Sequence, residues 1–277
     1  MDAADQLSDG LDFGSQDSIP LKNQYFFGVM FYRGQGVPQN YEEAAKWFSR
    51  VITGPCRQTP NQAVKEPYAE SGAASRRKTP VQDAEYIRSA QYYLGFMYFN
   101  GQGVAQNYDE AARLFTEAAN QGHAEAQNLL GRAYYSGLGR KKNANEAVKW
   151  WRKAAEQGQA EAQNSMGDAY CSGNGVAKNY KTAVTYYRKA AQQGHSGAET
   201  SLGDMYKKGL GVDQDTGEAV KWYWKAAEHG YADARSRLEE MFSTLPKQEV
   251  NLVHPPRTAE SSSCGKSGIG RTGRNGS

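Results

Sequence analysis

From Gln91 to Ala234 the chain repeats itself every 36 residues, and this period decides what it can fold into. Gly95, Gly131, Gly167 and Gly203 keep the step, as do Gly101, Gly137, Gly173 and Gly209. Further ladders run through Gly103, Gly139, Gly175 and Gly211, through Gly122, Gly158, Gly194 and Gly230, and through Tyr98, Tyr134, Tyr170 and Tyr206. Ala111, Ala147, Ala183 and Ala219 add one more. A fixed period of roughly 20–50 residues marks a repeat architecture, in which each unit buries its apolar face only against its neighbours.

One repeat, taken from Ala90, contains two helical patterns. Ala90, Leu94, Met97 and Tyr98 share one helix face. Gly101 stops that helix, because glycine enters the left-handed conformation at little cost. The loop GQGVAQN follows, and Asn107 with Glu110 has the spacing of an N-terminal capping box. The pair recurs as Asn143 with Glu146 and Asp215 with Glu218, while Asn179 is followed by Thr182. Ala111, Leu114, Phe115, Ala118 and Ala119 form the apolar stripe of the second helix, and Gly122 ends it. Alanine pairs at 118/119, 154/155, 190/191 and 226/227 allow close helix contact. The aromatic pairs Trp150/Trp151, Tyr186/Tyr187 and Trp222/Tyr223 recur at one phase and read as core. The fold expected is all-α, a solenoid of αα-hairpins.

The stretch AQNLLGRAYYSGLGRKKNANEAVKWWRKAAEQGQAEAQ resembles the Sel-1-like repeat, a relative of the tetratricopeptide repeat. The resemblance lies in Leu-Gly before a tyrosine, the Gly-x-Gly turn, the Ala-x-x-aromatic run and the Ala-Ala-x-x-Gly ending. It implies a right-handed αα superhelix and a role in protein–protein interaction. Among members of that family the role ranges from adaptor work in quality control to bacterial signalling, envelope assembly and host contact.

The flanks divide the rest of the chain. Residues 1–20 are acidic, with Asp2, Asp5, Asp9, Asp12 and Asp17, and read as a disordered tail. They lack the basic end and apolar core of a secretory signal. Residues 21–54 form a degenerate repeat: Gly28, Gly34, Gly36 and Val37 match Gly95, Gly101, Gly103 and Val104 at an offset of 67. The segment 55–79, rich in Pro, Gly, Ser and charge, is expected as an inserted loop, with a helix starting near Pro80. Four full repeats then span 90–233, and a polar helix over 232–242 is expected to cap the array. Residues 243–277 read as a disordered basic tail carrying Lys247, Arg257, Lys266, Arg271 and Arg274. No apolar run approaches the roughly 20 residues of a membrane helix. A cytoplasmic protein is expected, with leaderless export left open.

Chemistry-bearing motifs are sparse. In the string SSSCGKSGIGRTG, Cys264 and Arg271 resemble a phosphatase loop, but they enclose six residues rather than five and Ser263 stands in the place of histidine. Cys56, Cys171 and Cys264 share no repeat phase, so no disulfide framework is expected. His123 and His195 share a phase after a glycine and read as turn residues rather than metal ligands. No enzyme, cofactor, metal or nucleic-acid role is expected, and no membrane span.

The function expected is a non-enzymatic, monomeric scaffold that holds a protein or peptide in its concave groove. The alternatives are an enzyme of the β-lactamase-like or glycan-processing type found among repeat relatives, and a self-associating structural adaptor. On the first helices, one face changes between copies: Tyr92, Phe96 and Phe99; Asn128, Arg132 and Tyr135; Asn164, Asp168 and Cys171; Thr200, Asp204 and Lys207. First helices line the concave side of tetratricopeptide-like superhelices, so these residues are expected to form the partner-binding floor. Asn128 and Asn164 suit a peptide backbone, the aromatic group an apolar anchor, and Arg132 an acidic group.

Overall fold

A computed structural model describes residues 19–54 and 80–244. The N-terminal tail, the 55–79 insert and residues 245–277, including the phosphatase-like string, lie outside them. Among the described residues there are eleven α-helices and no strand. They are α1 (Leu21–Arg33), α2 (Tyr41–Thr53), α3 (Pro80–Asn100), α4 (Tyr108–Asn120), α5 (Ala124–Ser136), α6 (Ala144–Glu156), α7 (Ala160–Ser172), α8 (Tyr180–Gln192), α9 (Ser196–Lys208), α10 (Thr216–Glu228) and α11 (Ala232–Thr244). Each helix packs on the next, so five hairpins stack into an αα solenoid and α11 closes the described series.

Two glycines per turn make each hairpin possible. At the end of α5, Gly137 takes φ +83°, and its N–H donates to the Ala133 carbonyl. Gly139, at φ +66°, also governs the stacking, because a Cβ there would overlap the carbonyl of Tyr108 at the start of α4, in the preceding repeat. The second glycine of each turn is thus also a contact between repeats. Gly36, which no described repeat precedes, has nothing nearer its Cβ position than Met30 at 3.8 Å.

The helix caps form as the spacing predicts, with one difference. Asn107, Asn143 and Asp215 accept from the amides of Glu110, Glu146 and Glu218 at 3.0, 3.1 and 2.9 Å. The returning arm of a capping box is not used, because the N-cap amide is already engaged. It donates to the ladder tyrosine of the first helix: Asn107 to Tyr98 at 2.9 Å, Asn143 to Tyr134 at 2.8 Å, Asp215 to Tyr206 at 3.0 Å. The glutamates instead turn outward to bases three residues on, as in Glu146–Lys149 at 2.6 Å. Hence Thr182 replaces glutamate without loss: Asn179 still caps the Thr182 amide at 3.1 Å and donates to Tyr170 at 2.9 Å.

The hairpin core is a ring set into a helix. A Cβ on Gly95 would fall 2.9 Å from the Phe115 ring, and one on Gly131 2.5 Å from Trp151. At Gly167 and Gly203 it would overlap Tyr187 and Tyr223. The first helix therefore carries a glycine mid-span, despite the propensity cost of about 1 kcal/mol, to admit the aromatic of the second. Only the second member of each aromatic pair fills this slot: Trp151 is 5% exposed, Tyr187 2% and Tyr223 0%. Trp150, Tyr186 and Trp222 are half-buried outside it, each under a lysine: Lys153 at 4.1 Å, Lys189 at 5.7 Å and Lys225 at 5.2 Å. The pairs thus divide between core and surface rather than both filling the core.

A polar ladder, unnoticed in the sequence, crosses the inter-repeat seams. Buried Gln127 donates to the Ala119 carbonyl at 3.1 Å and accepts from Gln157 at 2.7 Å. Buried Gln163 repeats this with Ala155 at 3.2 Å and Gln193 at 2.9 Å. At the same phase Glu199 is fully buried, flanked by Lys225 at 3.1 Å and His229 at 2.9 Å, while Lys225 supplies the donor to the Ala191 carbonyl at 3.3 Å. Each of these buried side chains is paired, as the desolvation cost of an unpaired one requires.

Two substitutions check this packing. Trp151→Ala should destabilise by about 3–5 kcal/mol, the cost of truncating a buried aromatic. Trp150→Ala should cost well under half as much, and urea denaturation of both variants would reveal the difference. Gly203→Ala should cost about 1–3 kcal/mol through overpacking against Tyr223. A midpoint unchanged from the parent chain would mean that the ring does not occupy the glycine slot.

Candidate functional site

The first helices approach one another directly along one side of the stack: α1 packs on α3, and α7 on α9. Contacts between side chains on their outer faces join neighbouring first helices at three seams. Glu161 on α7 meets His195, the N-cap of α9, at 2.8 Å. Lys207 on α9 meets Glu240 on α11 at 3.2 Å, and Arg237 donates to Asp204. Tyr92 on α3 stacks on His123, the N-cap of α5, with ring centres 4.7 Å apart.

The residues picked out from the sequence divide by depth on this surface. Asn128 and Thr200 are buried, 4% and 5% exposed, and lie beneath it. Tyr92, Phe96 and Phe99 are half-buried and pack on the core cluster of Phe115 and Leu130. Burial, helped by Glu125, pushes the Tyr92 hydroxyl up to about 12. Arg132 and Tyr135 are exposed, and the Tyr135 ring lies 5.4 Å from Trp151. Half-buried Asn164 donates to Asp168 Oδ2 at 3.2 Å.

Asp168 and Asp204 recur one repeat apart and make the same bond downward. Tyr187 donates to Asp168 Oδ1 at 2.7 Å and Tyr223 to Asp204 Oδ1 at 2.6 Å. The core tyrosines thus anchor their rings in the glycine slot and their hydroxyls on the surface row. Desolvation raises the Asp168 carboxyl above the usual carboxylate range, and the Tyr187 bond opposes it. Burial, with Asp168 beside it, pushes the Tyr187 hydroxyl well above its ordinary value.

The histidines act as helix caps. His123 Nδ1 accepts from the Ala126 amide at 3.4 Å and His195 Nδ1 from the Ala198 amide at 3.1 Å. Gln159 caps Ala162 at the same phase. Burial lowers His123, whereas the Glu161 carboxylate raises His195 and is itself held below its ordinary range by it. Sequence reasoning passed over Glu161, Arg237 and Glu240 as members of this surface. The signal was present in their position one turn from the row, but the pairing depends on the distance between successive first helices. Among the described residues, no group of three His, Cys, Asp or Glu is placed to hold a metal ion, and no helix is long and apolar enough to cross a membrane.

This architecture is that of an αα repeat solenoid with a mixed polar and aromatic first-helix face. The chain belongs to the Sel1 repeat family: the Sel1 repeat model matches residues 24–50, 88–123, 124–159, 160–195 and 196–231. Among solved structures it is similar to a Sel1 repeat protein from Oxalobacter formigenes, at 29% identity and a TM-score of 0.66, over 86% of this chain and 82% of that one. It is also similar to a protective antigen of uropathogenic Escherichia coli strains displaying an SLR fold, at 32% identity and a TM-score of 0.64. That match covers 87% of this chain and 44% of the antigen, so this chain spans less than half the antigen's length.

The Glu161–His195 pair sets a pH dependence. The histidine pKa is raised in the folded chain, so its contribution is complete below the unfolded value and is lost as pH rises through the folded one. The glutamate pKa is lowered, so its contribution is present above the unfolded value and is lost as pH falls through the folded one. The gap in melting temperature between the parent chain and Glu161→Gln should therefore be widest near about pH 5–6 and narrow on either side. A gap that is flat from acid to alkaline pH would exclude the coupling.

Proposed function

We propose that this chain is a non-catalytic scaffold that holds an extended peptide or protein segment along its first-helix face. Sel1 repeat proteins are generally protein–protein interaction scaffolds. The supporting observation is a contrast within single helices. The buried face repeats Ala, Leu or Met, and Gly at fixed phases, while the surface row changes from Phe96 and Phe99 to Arg132 and Tyr135, then to Asp168 and Cys171, then to Asp204 and Lys207. A row that varies over an unvarying support suits recognition of a sequence of different side chains, one or two per repeat.

Depth assigns the parts. Arg132 and Tyr135 sit at the centre of the row with their polar groups open, and form its anchor for an acidic or aromatic side chain. Phe96 and Phe99 give an apolar wall at one end. Asp168, Asp204 and Lys207 give charge at the other, already partnered by Tyr187, Tyr223 and Glu240 and therefore held in place. Asn128 and Thr200 position the row from below, and Asn164 fixes the Asp168 carboxylate. Binding rather than bond-making suits these groups, since both His195 nitrogens are engaged, one by Glu161 and one by a backbone amide.

The test is Arg132→Ala combined with Tyr135→Ala, measured against a partner captured from native lysate by the full chain. The double variant should keep its melting temperature and weaken the partner at least about tenfold, as expected for two central contacts. Undiminished affinity in the folded double variant would remove the partner from this face.

A further inference from the structure

In two neighbouring repeats the ring of the second helix ends on a carboxylate of the first. Tyr187 donates to Asp168 Oδ1 at 2.7 Å, and Asn164, one turn before Asp168 on α7, donates to Oδ2 at 3.2 Å. Tyr223 donates to Asp204 Oδ1 at 2.6 Å, and Arg237 on α11 donates to the same oxygen. Each carboxylate is thus held by a ring hydroxyl and by a second donor from a first helix.

One repeat earlier the donors are kept and the carboxylate is not. Trp151 stands at the phase of Tyr187 and Tyr223, Asn128 at that of Asn164, and Arg132 at that of Asp168 and Asp204. The Trp151 ring is 5% exposed, and its Nε1 lies 2.6 Å from where a Cβ on Gly131 would stand. That buried N–H has no hydrogen-bond partner. Asn128, 4% exposed, likewise leaves its Oδ1 unpartnered. Native structures rarely leave such groups unpaired, and each one needs a reason. The residues around them select the missing acceptor. An indole N–H and a guanidinium only donate, so together they favour an acceptor that carries negative charge. Arg132 is exposed, and Glu161, whose carboxylate feels the Arg132 charge, is bonded to His195 at 2.8 Å instead. In the repeat before, Phe115 and Phe96 hold the same two phases and offer no donor, so the mismatch is confined to one repeat.

We propose that this repeat is the subsite for one aspartate or glutamate side chain of the bound segment, whose carboxylate accepts from Trp151 Nε1 and the Asn128 amide beside the Arg132 guanidinium. The inference rests on the scaffold role proposed above and narrows it. The ligand supplies at this repeat the carboxylate that Asp168 and Asp204 supply in the next two. A ring donor with an arginine is also the pair that holds Asp204, through Tyr223 and Arg237. The row of first-helix residues runs on past the subsite in both directions, to Phe96 and to Asp168, so a side chain in mid-segment suits it better than a chain terminus. Tyr135, 43% exposed with its ring 5.4 Å from Trp151, borders the subsite and turns aside to admit the ligand.

The indole N–H signals in proton–nitrogen correlation spectra of the full chain read this bond directly, with the Trp151 signal assigned through Trp151→Phe. Arg132→Asp gives the repeat a carboxylate of its own, so the Trp151 signal should move downfield with no ligand present. A signal that stays where it was would overturn the donor geometry. In the parent chain the probe is N-acetyl triglutamate amide, whose only carboxylates are on side chains. It should move the Trp151 signal downfield, leave the other indole signals in place, and bind Arg132→Gln at least about tenfold more weakly. N-acetyl triglutamine amide, and N-acetyl trialanine with a free C-terminal carboxylate, should leave the Trp151 signal unmoved. No movement with triglutamate at millimolar concentration would overturn the subsite, while the scaffold role is decided separately by the affinity of the Arg132→Ala, Tyr135→Ala chain. Equal movement with triglutamine would overturn the choice of a carboxylate, and a larger one with trialanine the choice of a side chain.

Discussion

The fit of one aromatic ring over one glycine holds this structure together. Phe48, Phe115, Trp151, Tyr187 and Tyr223 each lie against Gly28, Gly95, Gly131, Gly167 or Gly203, and no other residue leaves the ring that space. The contact sets the distance between the two helices of a hairpin. With that distance fixed, the loop between them has a fixed span to close. The αL glycine at the first helix end and the N-cap amide bonded to the ladder tyrosine close it. The second turn glycine then meets the preceding repeat, which sets the stacking. A substitution in the slot therefore acts on the hairpin, its loop and its neighbour together, unlike a surface change of the same size.

Much of this was legible because the period multiplies the signal. One glycine in a helix is ambiguous; four at the same phase are not. Caps, helix ends and the alanine seam followed from residue types whose local preferences agree with the fold. What stayed hidden were relations between helices. Trp150 and Trp151 both fall within reach of the apolar stripe, Trp151 near its middle and Trp150 at its edge, and the Gly131 slot in the facing helix admits Trp151 alone. The Gln127–Gln157 and Gln163–Gln193 bonds join residues from different helices, and a glutamine in sequence looks like any other polar surface residue. The surface row was legible in phase but not in depth. Asn128 sinks below the surface while Arg132, one turn on, stays open.

The last seam shows how a repeat tolerates change. Glu199 replaces glutamine at a fully buried position, which by itself leaves a carboxylate without water. Lys225 and His229 answer it from α10, and Lys225 also takes over the donor that a glutamine amide supplies elsewhere. Three positions therefore carry one function between them. Changing Glu199 alone leaves Lys225 and His229 without their shared acceptor, whereas the other seams depend on amides that both donate and accept. The C-terminal seam is the more sensitive of the two kinds to charge, although its backbone geometry is the same.

The surface row and the core are less separate than their positions suggest. Tyr187 and Tyr223 each have a ring in a glycine slot and a hydroxyl on Asp168 or Asp204. A ligand that pulled either carboxylate away would leave a buried phenol without its acceptor, at a cost of about 1–3 kcal/mol. In the binding role proposed for this face, a ligand at these two repeats would have to meet the carboxylates where they stand. Phe115 and Trp151 make no such bond to the row, and the Phe96 and Arg132 repeats are free to adjust. The face thus divides into a half at Asp168 and Asp204 that is bonded to the core and a half at Phe96, Arg132 and Tyr135 that lacks this bond.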